Sequence, residues 1–156
     1  MMPNMSRRGL LRVLGLSLLA MISGTERLLR AATKPPAEVP LAQRLEEVLK
    51  GRRPQAGGLK LDIPTVAEDG SVVPTTLHFG ELMQSTGHLQ KVSLIVDNNP
   101  DPLILTIPTP SPHLGGSLFT RIRMRKSSRV ALYAETKDGK LYVAEKNVQV
   151  TAGGCS

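Results

Sequence analysis

Hydrophobic residues between Pro40 and Gly51 recur with the spacing of one helix face. They fall at i, i+1, i+4, i+7 and i+8 and comprise Leu41, Ala42, Leu45, Val48 and Leu49. This spacing predicts a short amphipathic helix. Pro40 suits its first position, where a missing N–H costs nothing, and Gly51 suits its C-terminal stop. A helix this short needs a sheet to lie on.

After Gly58 the hydrophobic period changes to two, the period of a β-strand. Alternating or apolar runs of strand length cover residues 59–63, 72–79, 88–97, 103–107, 118–124, 129–136 and 140–150. Residues 68–70 predict a turn, and the Asp138-Gly139 pair predicts a hairpin. Pro74 is compatible with a strand only at a sheet edge or at a bulge.

These runs, about seven in number, predict an all-β fold, an antiparallel β-sandwich, with a closed barrel as the alternative. The chain has 156 residues, which is enough for one domain with its own core. Aromatic residues make up only 3% and tryptophan is absent, so the core must rest on Val, Ile, Leu and Met.

The first 32 residues have the layout of an export signal. Arg7 and Arg8 lie in the run Ser-Arg-Arg-Gly-Leu-Leu, which matches the twin-arginine (Tat) pattern. The apolar run that follows is about 11 residues long, too short for the roughly 20 residues that span a bilayer. Its leucines surround the helix, whereas a surface helix would show a stripe. We expect residues 1–32 to be a Tat signal peptide, with export to the periplasm and no stable membrane insertion.

The net charge of +7 is concentrated in that segment. Residues 1–32 carry five arginines against one glutamate, so +4 of the total belongs to them and +3 to the rest. The mature chain is therefore only mildly basic, and two Phe and two Tyr are too few aromatic residues to form a stacking platform for bases. We expect no nucleic acid partner.

Motifs for metal binding or catalysis are absent from the sequence. His78, His88 and His113 are too far apart in sequence to match a zinc-ligand motif. No nucleophile elbow, phosphate-binding loop or dinucleotide fingerprint occurs. The sequence predicts no catalytic residues, no metal site and no cofactor.

Arg121, Arg123 and Arg125 are spaced by two and would share one face of a strand. A solvated outer face explains such a pattern, because a strand on the surface needs a polar side. The alternative is a docking patch for acidic partners or for an anionic substrate.

Cys155 is the single cysteine of the chain and follows Gly153 and Gly154 near the C-terminus. Glycines free the backbone, so residues 151–156 are expected to form a flexible arm with a nucleophilic sulfur near its tip. An odd cysteine in an oxidising compartment also fits an intermolecular disulfide. A thiol enzyme with a histidine base is a third interpretation. A thiol on a mobile tail would not keep a fixed position relative to such a base.

The tail Val-Thr-Ala-Gly-Gly-Cys at 150–155 is similar to the C-terminal motif of the SoxY family, which belongs to the thiosulfate-oxidising Sox system. Further similar segments lie at 44–49 (Arg-Leu-Glu-Glu-Val-Leu), 61–64 (Leu-Asp-Ile-Pro), 99–102 (Asn-Pro-Asp-Pro) and 120–124 (Thr-Arg-Ile-Arg-Met). Together with the Tat signal, they extend over nearly the whole chain.

The resemblance implies an immunoglobulin-like sandwich at 33–150 that pairs with a SoxZ-like subunit. It implies a carrier rather than an enzyme, in which Cys155 holds thiosulfate-derived sulfur covalently and Gly153 and Gly154 form the swinging arm. SoxAX would load the thiol, SoxB would release sulfate, and SoxCD-like enzymes would oxidise the remaining sulfane sulfur. The alternative is a structural β-sandwich module that forms an intermolecular disulfide through Cys155.

Ser156 departs from the family pattern, in which two glycines follow the cysteine. The terminal carboxylate then lies one residue from the sulfur, which should raise the thiol pKa and oppose an anionic adduct.

Overall fold

A computed structural model describes residues 38–111, 113 and 115–152 of the chain. The predicted signal peptide with Arg7 and Arg8 lies outside the described residues, as do Gly153, Gly154 and Cys155. The expectations for these residues stay predictions.

Two helices and nine strands occur within the described residues. The helices are α1 (Leu41–Leu49) and α2 (Gly80–Thr86). The strands are β1 (Gln55–Ala56), β2 (Lys60–Asp62), β3 (Val66–Asp69), β4 (Val73–His78), β5 (Leu89–Val96), β6 (Leu103–Pro108), β7 (Ser117–Ile122), β8 (Ser128–Thr136) and β9 (Leu141–Ala152). In the described part of the chain, no helix is long and apolar enough to cross a membrane.

The strands form two separate sheets. One sheet has six strands in the order β1-β9-β8-β5-β6, with β3 also paired to β9. The other has three strands in the order β2-β4-β7. Two open sheets that enclose a core between them form a sandwich, so the all-β sandwich prediction is confirmed and the closed barrel is wrong.

The main core lies between the two sheets. It is lined by alternate, fully buried residues of the central strands, which include Leu77 of β4, Leu94 of β5 and Leu132 of β8. Helix α2 adds Leu82 and Met83 to the same core. Alternation along the strands therefore selects which side chains face inward, as the hydrophobic pattern predicts.

A second, smaller core lies on the outer face of the six-stranded sheet, under α1. Val48 of the helix packs in one cluster with Ile95, Ala131, Tyr133 and Leu141. The sheet is thus covered on both faces at its centre, which explains why nearly every residue of β8 is buried. The predicted helix lies on a sheet, as its single apolar face requires.

Several details differ from the sequence prediction. Pro40 is the N-cap of α1, with an extended backbone (φ −60°, ψ 136°), and is not its first helical residue. Glu68 and Asp69 end strand β3, so the predicted turn lies after them, at Gly70 and Ser71. Helix α2 and the strands β1 and β3 were not predicted. Both of these strands pair in parallel with β9, so the sandwich is not purely antiparallel.

Pro74 occupies an edge position, although it lies in the middle strand of the smaller sheet. It pairs with Arg121 of β7 on one side. On the other side β2 pairs only with residues 76–78 of β4, so no strand in the described chain needs the missing N–H of Pro74. The local edge is what allows a proline in this strand.

Candidate functional site

The candidate site is the place where β9 leaves the sandwich, since this strand leads to Cys155. The strand continues through Ala152 and is still paired there, opposite Asp69 of β3. Thr151 and Ala152, which the sequence predicts to belong to the arm, are therefore part of the sheet. Cys155 comes only three residues after the end of the strand.

Strand β3 holds one side of this exit. Val66 pairs with Gln149 and Ala67 pairs with Val150 in a parallel register. Pro64 follows the preceding strand, and the chain then turns so that Thr65 O accepts a hydrogen bond of 2.8 Å from Gln149 N. Buried Ala67 fixes β3 against the core, so this side of the exit is part of the folded body.

The segment between β7 and β8 holds the other side. Val150 N donates a hydrogen bond of 2.9 Å to Ser127 Oγ. Thr151 Oγ1, on the following residue, donates to Glu68 O at 3.2 Å. The final residues of β9 are thus fixed to chain segments on both sides, and the side chains that do so are exposed to solvent.

An acidic group lies directly beside the end of the strand. The carboxylate of Asp69 accepts two hydrogen bonds of 2.7 Å from Ser71, one from the backbone N and one from Oγ. These bonds lower the pKa of Asp69 below its ordinary value. The group is therefore ionised at neutral pH.

The arginines of the predicted docking patch are all exposed, but only one of them is in a strand. β7 ends at Ile122, so Arg121 lies in the strand while Arg123 and Arg125 follow it. Ile122 and Met124 between them are buried in the core. The alternation thus continues beyond the last strand pairing.

The three arginines have different surroundings. The guanidinium of Arg121 lies over the exposed ring of Phe119, 5.7 Å from its centre. Arg125 forms an ion pair with Glu38, with Nη1 and Oε1 2.7 Å apart. Arg123 is anchored through its backbone, because its carbonyl accepts a hydrogen bond of 2.7 Å from the Asn99 side chain. They are therefore not one equivalent set.

Sequence reasoning missed the residues that flank the strand end, Ser127 and Asp69. They contact β9 across 23 and more than 80 residues of chain, a separation that no local pattern reveals. The three histidines lie apart, in β4, before β5 and in the loop before β7. Among the described residues, no group of three potential ligands is close enough to hold a metal ion.

These features define a class of small two-sheet β-sandwich proteins whose last strand leads directly into a cysteine-bearing terminus. The model of the family described as sulfur oxidation protein SoxY matches residues 45–155. This chain belongs to the SoxY family. The match covers most of the chain and includes Cys155.

Two solved structures are similar to this chain. The sulfur carrier protein SoxY from Chlorobium limicola f thiosulfatophilum superposes with a TM-score of 0.53 at 19% identity, over 70% of this chain and 90% of that one. A superoxide reductase (neelaredoxin) from Ignicoccus hospitalis gives a TM-score of 0.47 at 10% identity, over 60% and 80%. Comparison with curated protein sequences finds no match.

Proposed function

We propose that this protein is a covalent sulfur carrier that bears thiosulfate-derived sulfur on the thiol of Cys155. The family match carries this proposal, because the matched region extends to the single cysteine and ends there. The related SoxY from Chlorobium limicola f thiosulfatophilum is a sulfur carrier protein. The same role for this chain is supported by its family membership and by its one thiol close to the C-terminus.

The short stretch of sequence between the end of β9 and the thiol supports such a role. β9 is fixed as far as Ala152, and Cys155 follows after two glycines. Glycine places few limits on backbone conformation, so the segment can enter the clefts of other proteins. A stable body with a short glycine-bearing extension is suited to presenting a substrate rather than to transforming it.

The proposed chemistry proceeds in balanced steps. Oxidative coupling joins the Cys155 thiolate to the sulfane sulfur of thiosulfate, forms a cysteine S-thiosulfonate and releases two electrons to a SoxAX-like haem protein. Hydrolysis by a SoxB-like enzyme then breaks the bond between the sulfane sulfur and the sulfonate. One water is consumed, sulfate and two protons leave, and a persulfide remains on Cys155. A SoxCD-like enzyme coupled to an electron acceptor then oxidises the outer sulfur of the persulfide with three waters, releases six electrons and six protons, and leaves a cysteine S-sulfonate.

The remaining parts of the proposal concern location and assembly. The twin-arginine pattern at Arg7 and Arg8 supports periplasmic export of the folded chain. Family membership supports pairing with a SoxZ-like subunit. The carrier would then cross the membrane already assembled with that subunit.

Intact mass spectrometry tests this function. The mature protein with its SoxZ-like partner is incubated with thiosulfate, the haem protein of the same cell and an electron acceptor. We expect a mass increase of one thiosulfate group on this chain, reversed by a thiol reductant. Cys155→Ser should take up nothing.

Other outcomes discriminate between the hypotheses. An adduct that persists in Cys155→Ser would contradict the assignment of the carrier residue. A protein that stays a reducible disulfide dimer and takes up no thiosulfate would favour the structural module instead.

A further inference from the structure

Two charged borders flank the point where β9 leaves the sheet. On the β3 side lie Glu68 and ionised Asp69, both exposed. The segment between β7 and β8, which also reaches the strand end, carries Arg123 and Lys126, both exposed. We call these four residues the arm rim. Arg125 is left out of it because Glu38 already neutralises its charge.

Backbone contacts place both borders at the strand end. Ser127, the neighbour of Lys126, accepts the hydrogen bond from Val150 N. Met124, the neighbour of Arg123, donates from its backbone N to Gly70 O at 2.7 Å, next to Asp69. The basic and acidic borders therefore belong to segments that contact each other and the last residues of β9.

Cys155 cannot travel far from this rim. Ala152 is paired in the sheet, and the cysteine follows three residues later. Three extended residues span at most about 11 Å between Cα atoms. An enzyme whose reacting group lies at the bottom of a cleft must therefore bring the mouth of that cleft against the surface around Ala152.

We propose that the arm rim is the docking surface for the haem protein that loads Cys155. Its active-site entrance would carry an acidic segment facing Arg123 and Lys126 and a basic segment facing Glu68. The opposite charges on the two borders fix the orientation of the enzyme around the arm. This inference rests on the proposed carrier function and names the surface through which it operates.

Charge reversal tests the rim in the assembled carrier. Arg123→Glu/Lys126→Glu is compared with the parent for the initial rate of thiosulfonate formation on Cys155 by the haem protein. We expect a rate about tenfold lower at low ionic strength, since rim charges act mainly on association. The difference should shrink at high salt, where exposed charges are screened.

Two controls separate docking from folding and from general charge. Lys60→Glu/Lys137→Glu makes the same charge change at exposed positions outside the rim and should load at the parent rate. A small maleimide should react equally with Cys155 in all three proteins. Insertion of Gly-Gly-Ser after Ala152 should reduce the effect of the rim variant, because a longer arm needs less rim contact.

The outcomes are distinct. Parent-like loading of the rim variant at low ionic strength, or equal slowing of the control variant, would overturn the docking surface while leaving the carrier function intact. A parent protein that takes up no adduct overturns the carrier function and the docking surface together.

Discussion

The β8–β9 hairpin is secured in different ways at its two ends. At the turn end, the buried carboxylate of Glu135 accepts a hydrogen bond of 2.7 Å from Arg52 Nη1. The same guanidinium donates to the carbonyls of Val48 and Leu49 in α1 and of Gly139 in the turn. One side chain thereby joins the helix, the strand and the hairpin loop.

At the open end, the side-chain hydrogen bonds to Ser127 and to the Glu68 carbonyl lie at the surface. Val150 is bound through the hydroxyl of Ser127, and Thr151 is bound through a carbonyl of β3. Loss of an exposed hydrogen bond costs little because water replaces it, whereas a buried charge without its partner is expensive. The turn end thus contributes to global stability, and the open end determines where the terminal segment begins.

The largest effect is expected when the turn end loses its arginine. Arg52→Ala leaves the Glu135 carboxylate buried without its charged partner and should lower the free energy of unfolding by about 2–3 kcal/mol. Chemical denaturation at pH 7 measures the change. Lys140→Ala, which breaks an exposed pair with Asp138, is the control and should alter stability little. Equal losses in both variants would show that the burial of Glu135 does not matter.

The same pair predicts a pH dependence. The hydrogen bond from Arg52 holds the pKa of Glu135 below its ordinary value of 4.5. A carboxyl with a lowered pKa in the folded state stabilises the fold above pH 4.5 and loses that contribution as the pH falls through its folded value.

Denaturation curves between pH 7 and pH 3 should therefore show the gap between the parent and Arg52→Ala narrowing below about pH 4.5. The pKa values of Asp69, Asp101 and Asp138 are also lowered. Protonation of these three groups in acid should destabilise both proteins to the same extent. Parallel curves for the two proteins would contradict the role of the pair.

A smaller effect is expected in the hairpin loop. Gly139 has φ +84°, and a Cβ there would meet no atom within 4 Å. Gly139→Ala should therefore cost about 1 kcal/mol through backbone strain alone. Gly139→Asn should recover part of the loss, because asparagine tolerates this conformation better. Thermal unfolding of the two variants checks the order, and an alanine variant as stable as the parent would exclude strain.

The smallest global effect is expected at the open end. Ser127→Ala removes the acceptor of Val150 N, with a loss of at most about 1 kcal/mol in global stability. Hydrogen exchange of the Val150 amide should become faster while core amides keep their protection. Ser85→Ala, which loses a hydroxyl bond within α2, should leave that amide unchanged. Protection of Val150 that survives Ser127→Ala would show that β3 alone holds the strand.

Long elements with strong periodicity were predictable from the sequence. The helix that contains Val48 and the strands that contain Leu94 and Leu132 follow from the spacing of apolar residues. The Asp138-Gly139 hairpin follows from turn chemistry. These signals are local, and the structure confirms them.

Elements that depend on distant partners were not predictable. β1 has two residues and β3 has four, and both exist because they pair with β9 more than 80 residues away. Helix α2 spans seven residues and lacks a side-chain N-cap, so no start signal marks it. The arm rim was not predictable for the same reason as β3, because its two borders come together only in the folded chain.

The last strand of the described chain is also the one with the most neighbouring strands among the described residues. β9 pairs with β8 along one edge and with β1 and β3 along the other. The larger sheet therefore cannot be completed until β9 has left the ribosome. Elements synthesised earlier usually fold first. Ribosome-bound chains that end before residue 141 should lack the pairings of β1, β3 and β8 with β9. A chain truncated within β9 lacks Cys155 and also part of the strand that joins β1, β3 and β8. Incomplete folding therefore marks the chains that lack the thiol.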